Sequence, residues 1–195
     1  MKVLATLIVT TSALLAAPAS GAPLNGISAV EDLSGDYLTS RRMVTVDGRS
    51  AVLYRRAKRE DQVGGEHYSR LETETGQLLG LMRMDRELVS DQLLDRDEAL
   101  RLAQKFLSLN ATDLLASREL HFVAPHTETF DVGGVTVDIT GMKVKMRNTN
   151  DGLWFWVVLA ATGEVITFER DIHWITRPGH RGTEMWLHDS WVANR

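Results

Sequence analysis

Residues 154–171 read WFWVVLAATGEVITFERD, and this stretch decides the fold. Residues 154–161 are apolar at almost every position, which is typical of a strand covered on both faces. The chain turns at ATGE (161–164), where Gly accepts a positive φ. Apolar and polar side chains then alternate over residues 165–170. We therefore predict an antiparallel hairpin at the centre of a sheet, covered by a helix or by C-terminal residues.

The residues before this hairpin continue the strand pattern. Apolar side chains alternate with polar ones over 135–147, with an interruption at Gly141, and the sequence NTNDG (148–152) is a turn. Lys143, Lys145 and Arg147 fall together on the polar face. This face is either simply solvated or a surface that receives an acidic ligand or the acidic edge of a partner.

One segment has helical periodicity. Asp95 stands at the N-cap position with Glu98 three residues later, a variant of the capping box. Apolar side chains then fall on one face of residues 97–107. Strands on both sides of this helix predict an α+β domain, with antiparallel sheet packed against one main helix.

Two parts of the chain are weakly similar to each other. The units 44–85 and 135–171 both contain the sequence VTVD, and both end in an apolar hairpin with a Thr-Gly turn. When 65–85 is aligned with 152–171, Leu81 falls on Phe168. We interpret the units as two copies of one sheet motif, although chance similarity between hairpins would also produce part of this match.

The helix and the hairpin together resemble the PepSY domain family. Glu98-Ala99 matches the start of the family's helix, and Thr162-Gly163-Glu164-Val165 matches its final turn. Residues 63–85 resemble a second, partial copy of the hairpin. The resemblance implies a PepSY-like α+β fold and an extracytoplasmic binding or regulatory module, and some relatives of this kind belong to protease propeptides. It carries no catalytic residues over to this chain.

The N-terminus reads as a secretory signal. Residues 1–19 place one Lys before an apolar run and end on Ala17-Pro18-Ala19, an A-x-A cleavage site. We predict a flexible leader over 20–35 and a single domain over 36–195. Export without any Cys favours a periplasmic or secreted protein. The net charge is -4, and the basic run at 54–59 is followed directly by Glu60 and Asp61, so both features argue against nucleic-acid binding. No later stretch is long and apolar enough to predict a membrane span.

The C-terminal arm, residues 172–195, concentrates His and Trp. One interpretation is that its tryptophans pin the arm over apolar surface, and another is that the arm binds a partner. A third is a metal site formed by His173, His180 and His188. The candidate partner-binding residues, including the polar face of 135–147, are Trp174, Arg177, His180, Arg181, Trp186, Trp191, Lys143, Lys145 and Arg147.

No motif typical of an enzyme stands out in the sequence, and no cofactor is expected. The first functional hypothesis is an exported, non-enzymatic module that binds another extracytoplasmic protein and inhibits or regulates a hydrolase by contact. Open sheet edges, which accept an added strand, favour it. The alternative is an extracytoplasmic protein that binds a small ligand or a metal through the His- and Trp-rich arm.

Overall fold

The computed structural model describes residues 37–58 and 63–195. The predicted signal peptide (1–19) and leader (20–35) lie outside the described residues. Eight strands form one antiparallel sheet in the order β1-β2-β3-β4-β8-β7-β6-β5, and a short hairpin, β9-β10, follows. The strands are β1 (Tyr37–Val46), β2 (Arg49–Lys58), β3 (His67–Thr73), β4 (Leu78–Met84), β5 (Arg118–Val132), β6 (Val135–Asn148), β7 (Trp154–Leu159), β8 (Val165–Ile172), β9 (Trp174–Ile175) and β10 (His180–Arg181). The helices are α1 (Arg96–Asn110) and the four-residue α2 (Asp189–Val192), with 3₁₀ turns at Arg86–Leu88 and Thr112–Leu114.

The predicted α+β class is wrong. The described chain is mainly one eight-stranded antiparallel sheet with a single long helix, so strands rather than a sheet-and-helix pairing define the architecture. Sequence patterns set no separate bounds for strands β1, β2 and β5, whereas the apolar hairpin predicted at the end of unit 44–85 forms as β3 and β4. Strands β1 and β5 bury few side chains, and β2 has Arg55 at a buried position, so the apolar period of two is weak in these three strands.

The hairpin that opens the sequence analysis forms as predicted. Strands β7 and β8 pair in antiparallel register, with Val157 opposite Phe168, and they lie inside the sheet between β6 and β4. Phe155, Val157 and Leu159 face one apolar cluster, whereas Trp156 and Val158 face the other. The apolar run at 154–161, which shows no alternation with polar residues, therefore corresponds to a strand that is buried on both faces.

Helix α1 covers part of one face of the sheet. Its N-cap is Asp95, whose carboxylate accepts the Glu98 N–H at 2.8 Å. Ala99, Ala103, Phe106 and Leu107 of α1 are buried, and the Phe106 ring lies 5.1 Å from that of Phe168. The helix packs mainly on β5, β6 and β7, so the face of β1–β3 on the same side has no described helix over it.

The opposite face is covered by the arm and by the far half of the β5–β6 hairpin. Four side chains of the arm pack in one buried cluster with Leu53 and Leu71 of the first strands. They are Trp186, Leu187, Trp191 and Val192. Phe130 and Ile139 of the hairpin lie in the same cluster, and the Gly65 N–H donates to the Asp131 carbonyl at 2.8 Å. Strands β5 and β6 therefore bend over the sheet instead of continuing flat.

The strand order is symmetric about its centre. The four-stranded meanders β1–β4 and β5–β8 meet through their last strands, and Leu81 of β4 pairs directly with Phe168 of β8. These two residues also align in the internal repeat. The two VTVD stretches occupy different places, one at the end of β1 and the other at the start of β6. Common descent of the two units stays a prediction.

Candidate functional site

One half-exposed face of the second meander combines lysines and aromatic rings. We call it the lysine–tryptophan face. Its members lie on β5, β6, β7 and the arm, and they are Phe122, Lys143, Lys145, Arg147, Trp154, Trp156 and Trp174. Three of the predicted partner-binding residues, on β6, are thereby brought together with a fourth, Trp174, from the arm.

Strand register builds this face. Lys145 pairs with Trp156 and Arg147 pairs with Trp154 across β6 and β7. Because side chains alternate between the faces of a strand, Lys143, Lys145 and Arg147 all point to the side on which Trp156 lies. Phe122 enters from β5, where it pairs with Lys145. The result is a cross-strand ladder of cations and rings.

Lys145 lies at the centre of three rings. Its Nζ is 4.5 Å from the Trp154 ring centroid, 5.1 Å from that of Trp174 and 5.7 Å from that of Phe122. Burial lowers the pKa of Lys145, and no carboxylate among the described residues opposes this shift. Each ring contact is worth roughly 0.5–1 kcal/mol at a partly exposed site. The rings therefore hold the ammonium group in place without neutralising its charge.

Lys143 lies deeper, beside buried acids. Its Nζ is 4.1 Å from the Trp156 ring centroid. Burial lowers the pKa of Lys143, and the carboxylates of Glu169 and Glu128 oppose the shift. Arg181 of the arm reaches Glu169 with Nη1 to Oε1 at 2.8 Å, but Oε1 has no properly angled hydrogen bond among the described residues, so the contact is ionic. The inner part of the face is thus neutralised, and the outer part keeps its charge.

The outer part of the face is also open. Trp174 is 41% exposed and Phe122 is 37% exposed, and Arg147 is exposed beside Trp154. Arg147 donates to the Gly152 carbonyl, so its guanidinium keeps other N–H groups for a ligand. No carboxylate among the described residues forms an ion pair with Lys145 or Arg147, so these cations and the open rings beside them provide charge and apolar contact for an acidic ligand.

Five apolar side chains of the arm lie in the core, and two of them, Trp186 and Trp191, are predicted partner-binding residues. Trp186 and Trp191 are buried, at 0% and 8% exposure. The Trp186 indole N–H donates to Asp47 at 2.9 Å, and that of Trp191 donates to Glu184 at 2.6 Å. Their rings fill the cluster under the arm and are not available to a partner.

The remaining arm residues do not form a second site. Arg177 and His180 are exposed in and beside the turn between β9 and β10, and no contact joins either residue to the described lysines and rings of the face. His173, His180 and His188 do not converge, and among residues 37–58 and 63–195 no three His, Cys, Asp or Glu side chains are placed to hold a metal. The geometry gives no support to the metal hypothesis.

Of the four rings of this face, sequence patterns predicted only Trp174 as a binding residue. Phe122 lies on a strand whose bounds were not predicted, and Trp154 and Trp156 were assigned only to the core. The turn at 148–152 carried the missing signal. In the structure Asn148 pairs with Leu153 around this turn, so 147 pairs with 154 and 145 with 156, and each cation lies opposite a tryptophan.

Comparisons with known proteins add no relative. No family model matches the chain, and neither a curated protein nor a solved structure is similar to it. The PepSY resemblance stays a hypothesis. Within the part of the chain that the structure describes, no helix has the length and apolarity that a membrane crossing requires.

Proposed function

We propose that this protein is an exported, non-enzymatic module that binds an acidic segment of another protein on the lysine–tryptophan face. The observation that carries the proposal is Lys145, which three aromatic rings hold at a half-exposed position without an acidic partner among the described residues. A cation kept in place in this way is ready to pair with an incoming carboxylate, so little side-chain entropy is lost on binding.

Aromatic and cationic side chains favour a protein ligand. Interface hot spots are rich in Trp, Tyr and Arg, and they form where a ring fills a pocket and a charge is partly desolvated. Trp174 and Phe122 supply the exposed rings, and Lys145 and Arg147 supply the charges. An acidic segment with apolar side chains between its carboxylates matches both features.

The neighbouring edge strand favours an extended segment. Strand β5 is the last strand of the described sheet, so its outer row of main-chain groups has no strand partner there. Pro125 has no N–H and lies within β5, so it limits the accessible edge to the first half of the strand, which contains a bulge after Leu120. A peptide paired with this half would place alternate side chains beside Phe122. A polysaccharide has no main-chain groups for such pairing.

The PepSY resemblance suggests an extracytoplasmic hydrolase as the partner class, with regulation by direct contact. Under this proposal the signal peptide directs the chain out of the cytoplasm, to the periplasm or the exterior. An acidic rim around the hydrolase's substrate cleft would supply the segment that the face binds. Occupation of that rim would then limit access to the cleft.

A peptide titration tests the proposal. The probe is an extended peptide that alternates Glu with Val, and a peptide of the same composition with its Glu residues grouped at one end is the comparison. We expect Lys145→Glu to weaken binding of the alternating peptide by about tenfold or more. The matched control is Lys105→Glu, which makes the same charge change at an exposed position on α1. It should change binding by less than about twofold.

Two outcomes would overturn the proposal. Equal losses in Lys145→Glu and Lys105→Glu would show that only the total charge of the protein matters. Binding of a sulfated polysaccharide at Lys145, with no binding of either peptide, would replace the protein ligand by an anionic glycan.

A further inference from the structure

The first meander carries a second surface of interleaved cations and rings. We call it the tyrosine–arginine face, and it is centred on Arg41, Tyr54 and Arg70 of three neighbouring strands. Arg41 pairs with Tyr54, and Tyr54 pairs with Arg70. The Arg41 and Arg70 guanidinium carbons lie 5.7 Å and 4.8 Å from the Tyr54 ring centroid. The Arg41 Nε also donates to the Tyr54 hydroxyl at 3.3 Å.

This face is on the opposite side of the sheet from the lysine–tryptophan face. Arg70 pairs with Leu81 of β4, and Leu81 belongs to the buried cluster that contains α1. Trp156, by contrast, belongs to the cluster under the arm. Helix α1 thus covers this side of the sheet on the second meander, and no described helix covers it on the first.

The tyrosine–arginine face keeps positive charge and exposed side chains. Arg41 is exposed, and no ion pair joins it to a carboxylate among the described residues. Arg70 is paired with Glu72 at 3.1 Å, so its charge is partly neutralised. Met43 lies beside this group on β1 and is 54% exposed, whereas Val52 opposite it is buried. Tyr, Arg and Met are enriched where proteins contact one another.

We propose that the tyrosine–arginine face binds an acidic amphipathic helix of a partner protein. The sheet already accepts a helix on this side, because α1 packs its Ala99 and Ala103 surface against the other meander. Cations take the place of many apolar side chains on the first meander, so the incoming helix needs carboxylates near Arg41 and a small apolar strip near Met43. This proposal does not rest on the proposed function, since the two faces share no residue.

A helical probe tests this proposal on the full chain. The probe is an amphipathic peptide with Glu at i, i+4 spacing along one face and Leu on the other, and a scrambled peptide of the same composition is the comparison. We expect Arg41→Glu, alone or with Tyr54→Ala, to weaken binding of the helical probe by about tenfold or more. Arg96→Glu reverses a charge at an exposed site on α1 and should change binding by less than about twofold.

Each remaining outcome overturns the proposal. Unchanged binding by Arg41→Glu, or failure of the helical probe to bind the wild-type chain, rules out this face. If Lys145→Glu abolishes binding of the probe and Arg41→Glu does not, the probe binds the lysine–tryptophan face. If the wild-type chain self-associates and Arg41→Glu makes it monomeric, the face binds a second copy of this chain and not a partner helix. A last outcome is that the probe binds only after residues 1–36 are removed. Because these residues include Glu31, Asp32 and Asp36, that result would show that the chain's own acidic segment occupies the tyrosine–arginine face.

Discussion

At the residue scale, Gly141 lets strand β6 lie close to the backbone of β7 and to the Ile166 side chain. A Cβ at this position would lie 2.5 Å from the Leu159 carbonyl oxygen and 2.6 Å from the Ile166 Cδ1. Both contacts are far shorter than van der Waals distance, and the carbonyl belongs to the neighbouring strand backbone. We expect Gly141→Ala to lower the free energy of unfolding by about 2–3 kcal/mol, as overpacking does elsewhere. Urea denaturation measures the change.

Gly80 provides the comparison for Gly141. It also lies inside a strand, but the atom nearest to an added Cβ is the Leu187 Cδ1 at 3.0 Å, the end of a flexible side chain. Gly80→Ala should therefore cost clearly less than Gly141→Ala. Equal losses would mean that strand propensity, and not the close approach of Leu159, sets the cost.

His67 should make stability depend on pH. Burial, and then the Arg55 guanidinium, lowers the pKa of His67 from 6.5 to about 4. Between these values the unfolded chain binds a proton that the folded chain excludes, so the free energy of unfolding falls as the pH falls through this window. We expect a loss of about 2–3 kcal/mol from this residue between pH 7 and pH 4.5.

His67→Gln isolates this contribution, because the amide can still donate to the Gly65 carbonyl that His67 Nδ1 contacts at 2.9 Å. Denaturation at pH 7 and pH 4.5 should show a smaller loss in the variant than in the wild-type chain. The two chains share all carboxylates, so their acid titration cancels in the comparison. Parallel stability curves would contradict the assignment to His67.

At the scale of elements, a buried ion pair holds the arm to the first meander, and an exposed ion pair within the arm provides the comparison. Asp189 lies 3.0 Å from Arg55, whose side chain is 4% exposed, whereas Glu184 and Arg195 pair at 2.7 Å with both side chains about one-third exposed. Asp189→Ala removes a carboxylate from the buried Arg55 guanidinium, while the bonds from Arg55 to Ser69 and the Gly64 carbonyl remain. We expect it to cost about 3 kcal/mol.

Arg195→Ala is the matched test of the surface pair, and it should cost less than about 1 kcal/mol. Thermal or urea unfolding of the two variants gives the ratio. A loss in Asp189→Ala no larger than that in Arg195→Ala would show that the arm is held by its apolar residues alone. Because Trp186 and Leu187 belong to the core, deleting the arm would not be a clean test of binding.

At the scale of the whole molecule, sequence patterns predict the elements that are buried against a core more sharply than the strands that have an exposed face. The hairpin 154–171 and the helix α1 both carry clear apolar periods, because each packs against a core. Strands β1 and β2 carry Arg and Tyr on one face, so their apolar pattern is weak and their bounds were not predicted. The α+β prediction failed because it gave the helix a weight equal to the sheet, whereas one eight-stranded sheet makes up most of the described chain.

The charges of the candidate site were predicted from the sequence, but of its four rings only Trp174 was. Lys143, Lys145 and Arg147 alternate visibly along one strand, but their partners lie on other strands and on the arm. Phe122 and Trp174 come from β5 and β9, which are far apart in sequence. Only the folded register brings them together, and no local pattern encodes contacts of this range. The same limit explains why the buried role of Trp186 could not be told from a binding role.

Affinity capture from the host's extracytoplasmic fraction tests the central claim most directly. Three baits are immobilised, namely the wild-type chain, a Lys145→Glu and Trp174→Ala double variant, and the Lys105→Glu control. The account predicts one protein retained in proportion to bait by the wild-type chain and the control but lost from the double variant, with retention weakened by salt. Equal retention by all three baits, or no retained protein on the wild-type chain, would contradict it.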